Sequence, residues 1–197
     1  MDKLLNKVKK VSDKRNVVTT KTYDLPMEKF LMEIYDNCTP SVYGDLFPKK
    51  ILHDMNGKIR NISPKLDRGD IHINYKVYFE GKISYRGKSG KYNLTNLRGW
   101  QKLNYFILCF VDTQDNFKPH FYCVPQTTVF DNPCISLTAM NNTAGANKYN
   151  KNVGTRTTVN CEDLNWLFKK DNVLKGTSYK HLTSFIKSQY TKLKNSK

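Results

Sequence analysis

Apolar side chains recur every three or four positions early in the chain, a pattern typical of amphipathic helices. One helix should begin near Pro26 and end before Pro40, and a second should run from about residue 41 to 55. Pro48 lies inside the second segment and predicts a break or two short helices there. The apolar positions of the first helix are Phe30, Leu31, Ile34 and Tyr35.

The middle of the chain changes to an alternating pattern, which predicts strands. Residues 69–84 should form a β-hairpin or two adjacent strands. Residues 105–111 are almost wholly apolar and predict a buried strand, with 121–124 as its antiparallel neighbour. Between these strands, residues 92–102 are predicted to form a short helix or a turn.

The C-terminal third is predicted to begin with a polar region. Residues 131–160 are rich in Asn, Thr and Gly and should form loops and short strands, while helices are predicted over 162–170 and 178–193. Residues 1–21 are Lys-rich and predict a loose basic arm or a frayed helix. The 197 residues are expected to form one α/β domain with a central mixed sheet flanked by helices.

Charge narrows the class of partner. The chain carries 33 Lys and Arg against 17 Asp and Glu, a net charge of +16. A field of that sign attracts phosphate backbones, so nucleic acid is the expected partner, with anionic membrane or protein surfaces as alternatives. A compositional bias toward Lys would raise Glu as well, and Glu is not abundant here.

Targeting and redox signals indicate an intracellular protein. No apolar run reaches the ~18 residues that would predict a membrane span, and the N-terminus lacks the apolar stretch of a signal peptide. The five cysteines are odd in number and without CxxC spacing, which favours a reducing compartment and argues against a zinc site. Cys109 and Cys123 lie in apolar runs and should be core residues.

The hairpin over residues 69–84 carries the most informative chemistry. Side chains two apart share a face of a strand, so Glu80, Lys82 and Ser84 should project together, and Asp70 should lie opposite the apolar side of its own strand. Two carboxylates and an ammonium group close together favour a bound cation, and carboxylate oxygens suit Mg²⁺. The alternative is an edge hairpin whose polar face is simply solvated.

Gly69-Asp70 followed by Glu80-Gly81-Lys82 resembles the motif of the PD-(D/E)XK nuclease superfamily, especially that of type II restriction endonucleases. In that family an Asp at the start of a strand precedes a Glu-x-Lys on the next strand. Gly69 stands where the family name has Pro. The resemblance covers roughly residues 41–125, the expected catalytic core.

The resemblance implies a restriction-endonuclease-like core and the hydrolysis of DNA phosphodiester bonds to leave a 5′-phosphate. Asp70 and Glu80 would hold Mg²⁺, for which Mn²⁺ could substitute, together with the backbone carbonyl of Gly81. Lys82 would position or deprotonate the attacking water, or stabilise the developing negative charge. The metal would lower the pKa of a bound water, and the hydroxide formed by loss of its proton would attack the phosphate.

The family also often takes a further acidic ligand from the helix before the core. Asp45, Glu33 and Asp54 are available here, and Asp45 is the candidate. The implied substrate is double-stranded DNA, and because two strands need two active sites, a homodimer is expected. A restriction enzyme would be cytoplasmic and bacterial or phage-encoded.

Several polar residues outside the motif are predicted to contact DNA. Residues 141–152 combine amides, small residues and Lys, which favours a recognition loop, with an ordinary surface loop as the alternative. Residues 86–91 form a basic Gly/Ser loop without the full phosphate-loop pattern, and the expectation is either backbone contact or simple flexibility. The predicted DNA-contacting residues are Ser84, Lys88, Arg98, Gln101, Asn147, Lys148, Lys151 and Arg156.

Two of these expectations keep alternatives. Arg98 and Gln101 are expected either to face the DNA backbone or to support the site. His72 has the strand parity of Asp70 and could approach the site, but it is expected to be an ordinary surface histidine. For the whole chain, the first hypothesis is a sequence-specific restriction endonuclease. The second is a less specific nuclease of repair, recombination or a mobile element, and the third is a non-catalytic or structure-selective DNA-binding protein.

Overall fold

The computed structural model describes residues 18–61, 68–88, 90, 92–97, 101–130, 135–138, 156–161, 174–175 and 178–195. Three helices come first: α1 (Thr20–Tyr23), α2 (Met27–Asn37) and α3 (Pro40–Asp54). A short helix, α4 (Gln126–Phe130), follows the central strands, and α5 (Tyr179–Asn195) is close to the C-terminus.

Six strands form the larger sheet in the order β1-β2-β3-β5-β6-β9. Strands β3 and β5 are parallel, whereas their neighbours in the sheet pair antiparallel, so the sheet is mixed. The strands are β1 (Arg60–Asn61), β2 (Ile71–Ile73), β3 (Val77–Tyr85), β5 (Tyr105–Asp112), β6 (Lys118–Pro125) and β9 (Leu174–Lys175).

A second sheet has three strands in the order β4-β8-β7, all antiparallel. These strands are β4 (Tyr92–Leu97), β7 (Ile135–Thr138) and β8 (Arg156–Cys161). The predicted α/β class, with a mixed sheet flanked by helices, is confirmed at this general level. The described part of the chain contains no helix long and apolar enough to cross a membrane.

The two faces of the larger sheet are both covered. Alternate residues of β5 and β6, such as Ile107 and Phe121, pack with Phe30, Ile51 and Leu182 of the helices, and all five are fully buried. The opposite face is also apolar beneath β5. There, the ring of Phe110 meets that of Tyr92 from β4 with centroids 5.2 Å apart. The larger sheet is therefore a middle layer, with helices on one face and β4 on the other.

Several predictions about single elements are confirmed. Helix α2 begins just after Pro26 and ends before Pro40, and α5 covers the predicted C-terminal helix. Cys109 and Cys123 are buried in the core, where burial raises the pKa of both thiols and leaves them unreactive. Short strands occur within 131–160, while residues 1–17 and the predicted helix over 162–170 lie outside the described residues.

Two predictions about helices and strands are wrong. Helix α3 continues through Pro48 without a break. The proline removes the hydrogen bond to the carbonyl of Gly44, but Gly44 is exposed and water can take that place. Residues 92–97 form strand β4 instead of a helix or turn, because Tyr92 and Leu94 alternate as buried positions and β8 supplies a partner distant in sequence.

Candidate active site

Asp70 is held at the mouth of the β2–β3 hairpin by backbone geometry. Its N–H donates to the carbonyl of Phe79 (2.8 Å), and its Oδ2 accepts the N–H of Gly81 (2.8 Å). Gly69 makes this approach feasible, because its φ is +85° and a Cβ there would lie 2.5 Å from the Phe79 oxygen. Glycine before the aspartate is thus required by packing against β3.

Glu80 lies on the same face of β3 as Lys82 and is almost fully buried, with 5% of its surface exposed. Lys82 donates from Nζ to Glu80 Oε1, and Gln101 donates weakly from Nε2 to Oε2 (3.4 Å). The carbonyl of Gln101 in turn accepts the side-chain amide of Gln126 (2.6 Å). Each oxygen of the Glu80 carboxylate therefore has a donor, and Gln101 supports it from a fixed position.

The two carboxylates repel each other. Burial raises the pKa of Asp70 from 3.8 to about 7, and the charge of Glu80 is the second cause. The charge of Lys82 and the hydrogen bond from Gly81 act in the opposite direction. A strongly perturbed carboxyl with a specific charged neighbour is more frequent at functional sites than elsewhere.

Helix α3 approaches the site at Gly81. A Cβ on Gly81 would lie 2.9 Å from Pro48 Cγ and 3.4 Å from Phe47 Cδ1, so only glycine allows this contact without a shift. Asp45 is exposed and precedes Pro48 by three residues, which places both on one side of the helix. Its charge also raises the pKa of Asp70, so Asp45 is within electrostatic reach of the site.

The sequence did not reveal the contact at Gly81. The available signal was a glycine inside a strand, which often marks a close approach of another part of the backbone or of a ligand. The contribution of its carbonyl to a cation site stays a prediction.

The metal-ligand set is small. Among the residues that the structure describes, no group of three or more His, Cys, Asp or Glu side chains could hold a metal ion. Mg²⁺, however, commonly uses one or two carboxylates and completes its shell with water and substrate phosphate. The pair Asp70 and Glu80, whose carboxylates repel each other, fits that limited protein share.

The other predicted site residues are spread over different environments. Ser84 and Gln101 are buried, at 5% and 6% exposure, which does not favour direct contact with DNA but suits a supporting role. Lys88 is exposed just beyond β3. Arg156 begins β8 opposite Thr138. Outside the described residues lie Arg98, Asn147, Lys148 and Lys151.

His72 is not a surface residue, so that prediction is wrong. Only 1% of it is exposed, and its Nδ1 accepts the N–H of Tyr75 (3.0 Å). Burial and, next, the charge of Arg60 lower its pKa. His72 alternates with apolar residues along β2, which suggested that its face of the strand is exposed to solvent. In the structure the aromatic rings of Tyr75 and Tyr78 cover that face.

A cleft of about 730 Å³ opens where β3 ends, beyond Lys82. Tyrosine rings form much of its wall: the ring of Tyr85 lies 4.7 Å from that of Tyr35 and 4.9 Å from that of Tyr43. Arg86 lines the same cleft and pairs with Asp112 (2.9 Å). Sequence periodicity identified Tyr35 only as part of a helix face. The contact of Tyr35 and Tyr43 with Tyr85 joins two helices to a strand, so periodicity along one helix could not predict it.

No protein-family model matches the chain, and a comparison with curated proteins found no match either. The functional argument therefore rests on the chemistry of the residues.

Proposed function

We propose that the chain is a Mg²⁺-dependent DNA endonuclease whose site is built from Asp70, Glu80 and Lys82. One observation carries the proposal. The Asp70 carboxylate is fixed to the backbone of Gly81, between Glu80 and Lys82, so two carboxylates and an ammonium group occupy one small region of the hairpin. The net charge of +16 supports a polyanionic substrate.

The topology supports a restriction-endonuclease-like core as the finer description of the fold. The acidic residues lie on an antiparallel hairpin, β2–β3. The strand that carries Glu80 and Lys82 then pairs in parallel with the buried strand β5, and helix α3 packs on the same sheet.

Asp70 and Glu80 would hold the Mg²⁺, or Mn²⁺ in its place, with Asp45 as the candidate for a further acidic contact. The ion would act as a Lewis acid on the phosphate and lower the pKa of a bound water. Gln101 keeps the Glu80 carboxylate oriented. Lys82 retains some exposure, and its Nζ can position the attacking water or stabilise negative charge on the phosphate oxygens.

In the proposed reaction, the water oxygen forms a bond to phosphorus while the bond from phosphorus to the 3′ oxygen breaks. The water loses one proton and the 3′ oxygen gains one, which yields a 5′-phosphate and a 3′-hydroxyl. Asp70 must be deprotonated to serve as a ligand, so we expect activity to rise through neutral pH.

Within this class, we propose a sequence-specific restriction enzyme that acts on double-stranded DNA as a homodimer in a bacterial or phage-infected cytoplasm. Because Lys82 already neutralises Glu80 within the chain, a non-catalytic DNA-binding protein is the second candidate.

The test is incubation of plasmid and phage DNA with the wild type, Glu80→Gln and Glu28→Gln, each with Mg²⁺ or EDTA. Glu28 is an exposed acid on α2 and serves as the matched control. We expect Mg²⁺-dependent cleavage by the wild type and Glu28→Gln only. Discrete fragments would indicate a sequence-specific enzyme, and a smear a less specific nuclease. DNA binding without cleavage across all substrates would overturn the catalytic proposal.

A further inference from the structure

The turn between β2 and β3 exposes an aromatic ring in an unusual backbone conformation. Tyr75 is 65% exposed, and both it and Asn74 have positive φ, 55° and 48°. Two successive positive φ angles are easiest for Asn-Gly, and a bulky side chain at the second position is strained. The chain therefore keeps a tyrosine where glycine would be more stable.

A second turn of the chain provides a comparison. Between β5 and β6, Asn116 and Phe117 repeat the same pair of positive φ angles, 48° and 56°. The Phe117 ring, however, is partly buried against the core and meets that of Tyr35 with centroids 5.2 Å apart. Packing accounts for the aromatic residue in that turn. The Tyr75 ring covers His72 but is itself 65% exposed, so packing accounts for only part of its presence.

The Tyr75 ring is nevertheless held in place. One face stacks on the imidazole of His72 at 4.0 Å between centroids, with the planes 28° apart. The Tyr75 N–H donates to His72 Nδ1 (3.0 Å), and its carbonyl accepts the hydroxyl of Tyr78 (2.7 Å). Because His72 is buried, it provides a fixed support for one face of the ring, while Tyr75 as a whole remains 65% exposed.

Three exposed cations lie on the residues that neighbour this ring. Arg68 donates to the Tyr78 hydroxyl (2.7 Å) and lies over that ring, 5.1 Å from its centroid. Arg60 is the register partner of His72 on β1, and Lys76 is next to Tyr75 in the turn. All three cations are exposed. A flat ring among positive charges is the combination that binds single-stranded nucleic acid, in which bases stack and phosphates meet cations.

We propose that Tyr75 is a stacking platform for an unpaired nucleobase, with Arg60, Arg68 and Lys76 holding the neighbouring phosphates. The inference rests on the proposed function for its nucleic-acid substrate, but it favours DNA with an unpaired stretch over the uninterrupted duplex that a restriction enzyme cuts. A paired base inside a duplex is stacked on both faces, so Tyr75 can receive only an unpaired base, at a single-stranded stretch, an overhang or a junction.

The platform is close enough to the carboxylates to act on the same substrate. The Tyr75 ring stacks on His72, which follows Asp70 by two residues of nearly extended chain, about 7 Å at ~3.3 Å per residue. That distance corresponds to roughly two nucleotides of a strand at ~3.4 Å each. We therefore infer that cleavage is favoured near a junction between duplex and single-stranded DNA.

The test measures binding without cleavage. Fluorescence anisotropy in EDTA would compare a labelled oligothymidylate with a blunt duplex of equal length for the wild type, Tyr75→Phe and Tyr75→Ala. We expect Tyr75→Ala to weaken binding of the single strand by ~5- to ~150-fold, the usual contribution of one stacked base. Tyr75→Phe should bind like the wild type, and the blunt duplex should be little affected by either change.

Tyr75→Asn separates a loss of stacking from a loss of folding. Asn accepts positive φ readily, which offsets the loss of the ring over His72, so this variant should stay folded while its affinity for the single strand falls. Phe117→Asn is the matched control, because it should lower the melting temperature, since Phe117 packs on the core, and leave single-strand binding unchanged.

Three results would overturn the inference. The first is wild-type affinity for the single strand in folded Tyr75→Ala and Tyr75→Asn. The second is an equal loss of affinity for the blunt duplex, which would indicate a contact with the backbone or groove. The third is an equal dependence on Tyr75 for binding polyglutamate, which would indicate a site for acidic protein.

The outcome is also separable from that of the proposed function. Tyr75-dependent binding with no cleavage by any form of the protein would refute the nuclease and keep the platform. Cleavage that depends on Glu80 with no role for Tyr75 would refute the platform and keep the nuclease.

Discussion

Replacing Asp70 with asparagine should make the metal-free protein more stable at pH 8 while changing little at pH 4. The amide is the same size as the carboxyl, and its oxygen can still accept the N–H of Gly81. What the change removes is the negative charge, which burial and Glu80 both disfavour.

The sign and size of the effect follow from the pKa of Asp70. The pKa is raised in the folded state from 3.8 to about 7, so the folded protein binds this proton more tightly than the unfolded chain does. The stability that the protonated carboxyl contributes is complete below pH ~4 and is lost as the pH rises to about 7. At ~1.4 kcal/mol for each pKa unit, the loss is on the order of 4 kcal/mol.

Urea unfolding of the wild type and Asp70→Asn at pH 4 and pH 8, both in EDTA, measures this difference. Glu28→Gln controls for the loss of an exposed carboxylate. The stability gap between the wild type and Asp70→Asn should widen toward pH 8. Addition of Mg²⁺ at pH 8 should stabilise the wild type and leave Asp70→Asn unaffected, because a bound ion favours the folded state. A gap that is equal at both pH values would refute the reasoning about Asp70.

Three further predictions concern the same hairpin and Gln101, which contacts it. Gly69→Ala should lower the free energy of unfolding in urea by more than Gly57→Ala does. Both glycines have positive φ, but of the two only Gly69 has no room for a Cβ. Equal losses of stability would contradict this account of Gly69. Lys82→Met should reduce the cleavage rate by ~10²- to ~10⁴-fold, and unchanged turnover in a single-turnover assay would exclude Lys82 from the chemistry. Gln101→Leu should lower kcat with little change in KM, because Gln101 donates a hydrogen bond to the Glu80 carboxylate. A change in KM alone would instead indicate that Gln101 contacts the substrate.

The hairpin with Asp70 and Glu80 could be predicted because alternation and strand parity are local properties of the sequence. The strands β5 and β6 were also predictable, since an apolar run of this length between turn residues has few other structures available. The same reasoning failed for β4. Its partner β8 lies far along the chain in a polar region, and strand pairing at that separation leaves no local pattern.

Burial of polar residues was the other feature that the sequence could not supply. His72 and Glu80 alternate with apolar neighbours as on a half-exposed strand, yet both are buried. What covers them comes from elsewhere: Tyr75 from the turn and Gln101 from beyond β4. A pattern along one strand cannot report which distant residues cover its polar side.

The contact between Gly81 and Pro48 limits how the motif can vary over evolutionary time. A side chain on the middle residue of Glu80-Gly81-Lys82 would meet the ring of Pro48, so a larger residue there is acceptable only if α3 moves away. We expect the two positions to change together or not at all. Alanine at position 81 should be tolerated when position 48 also becomes alanine. Random replacement at position 81 alone should return glycine in nearly every functional clone.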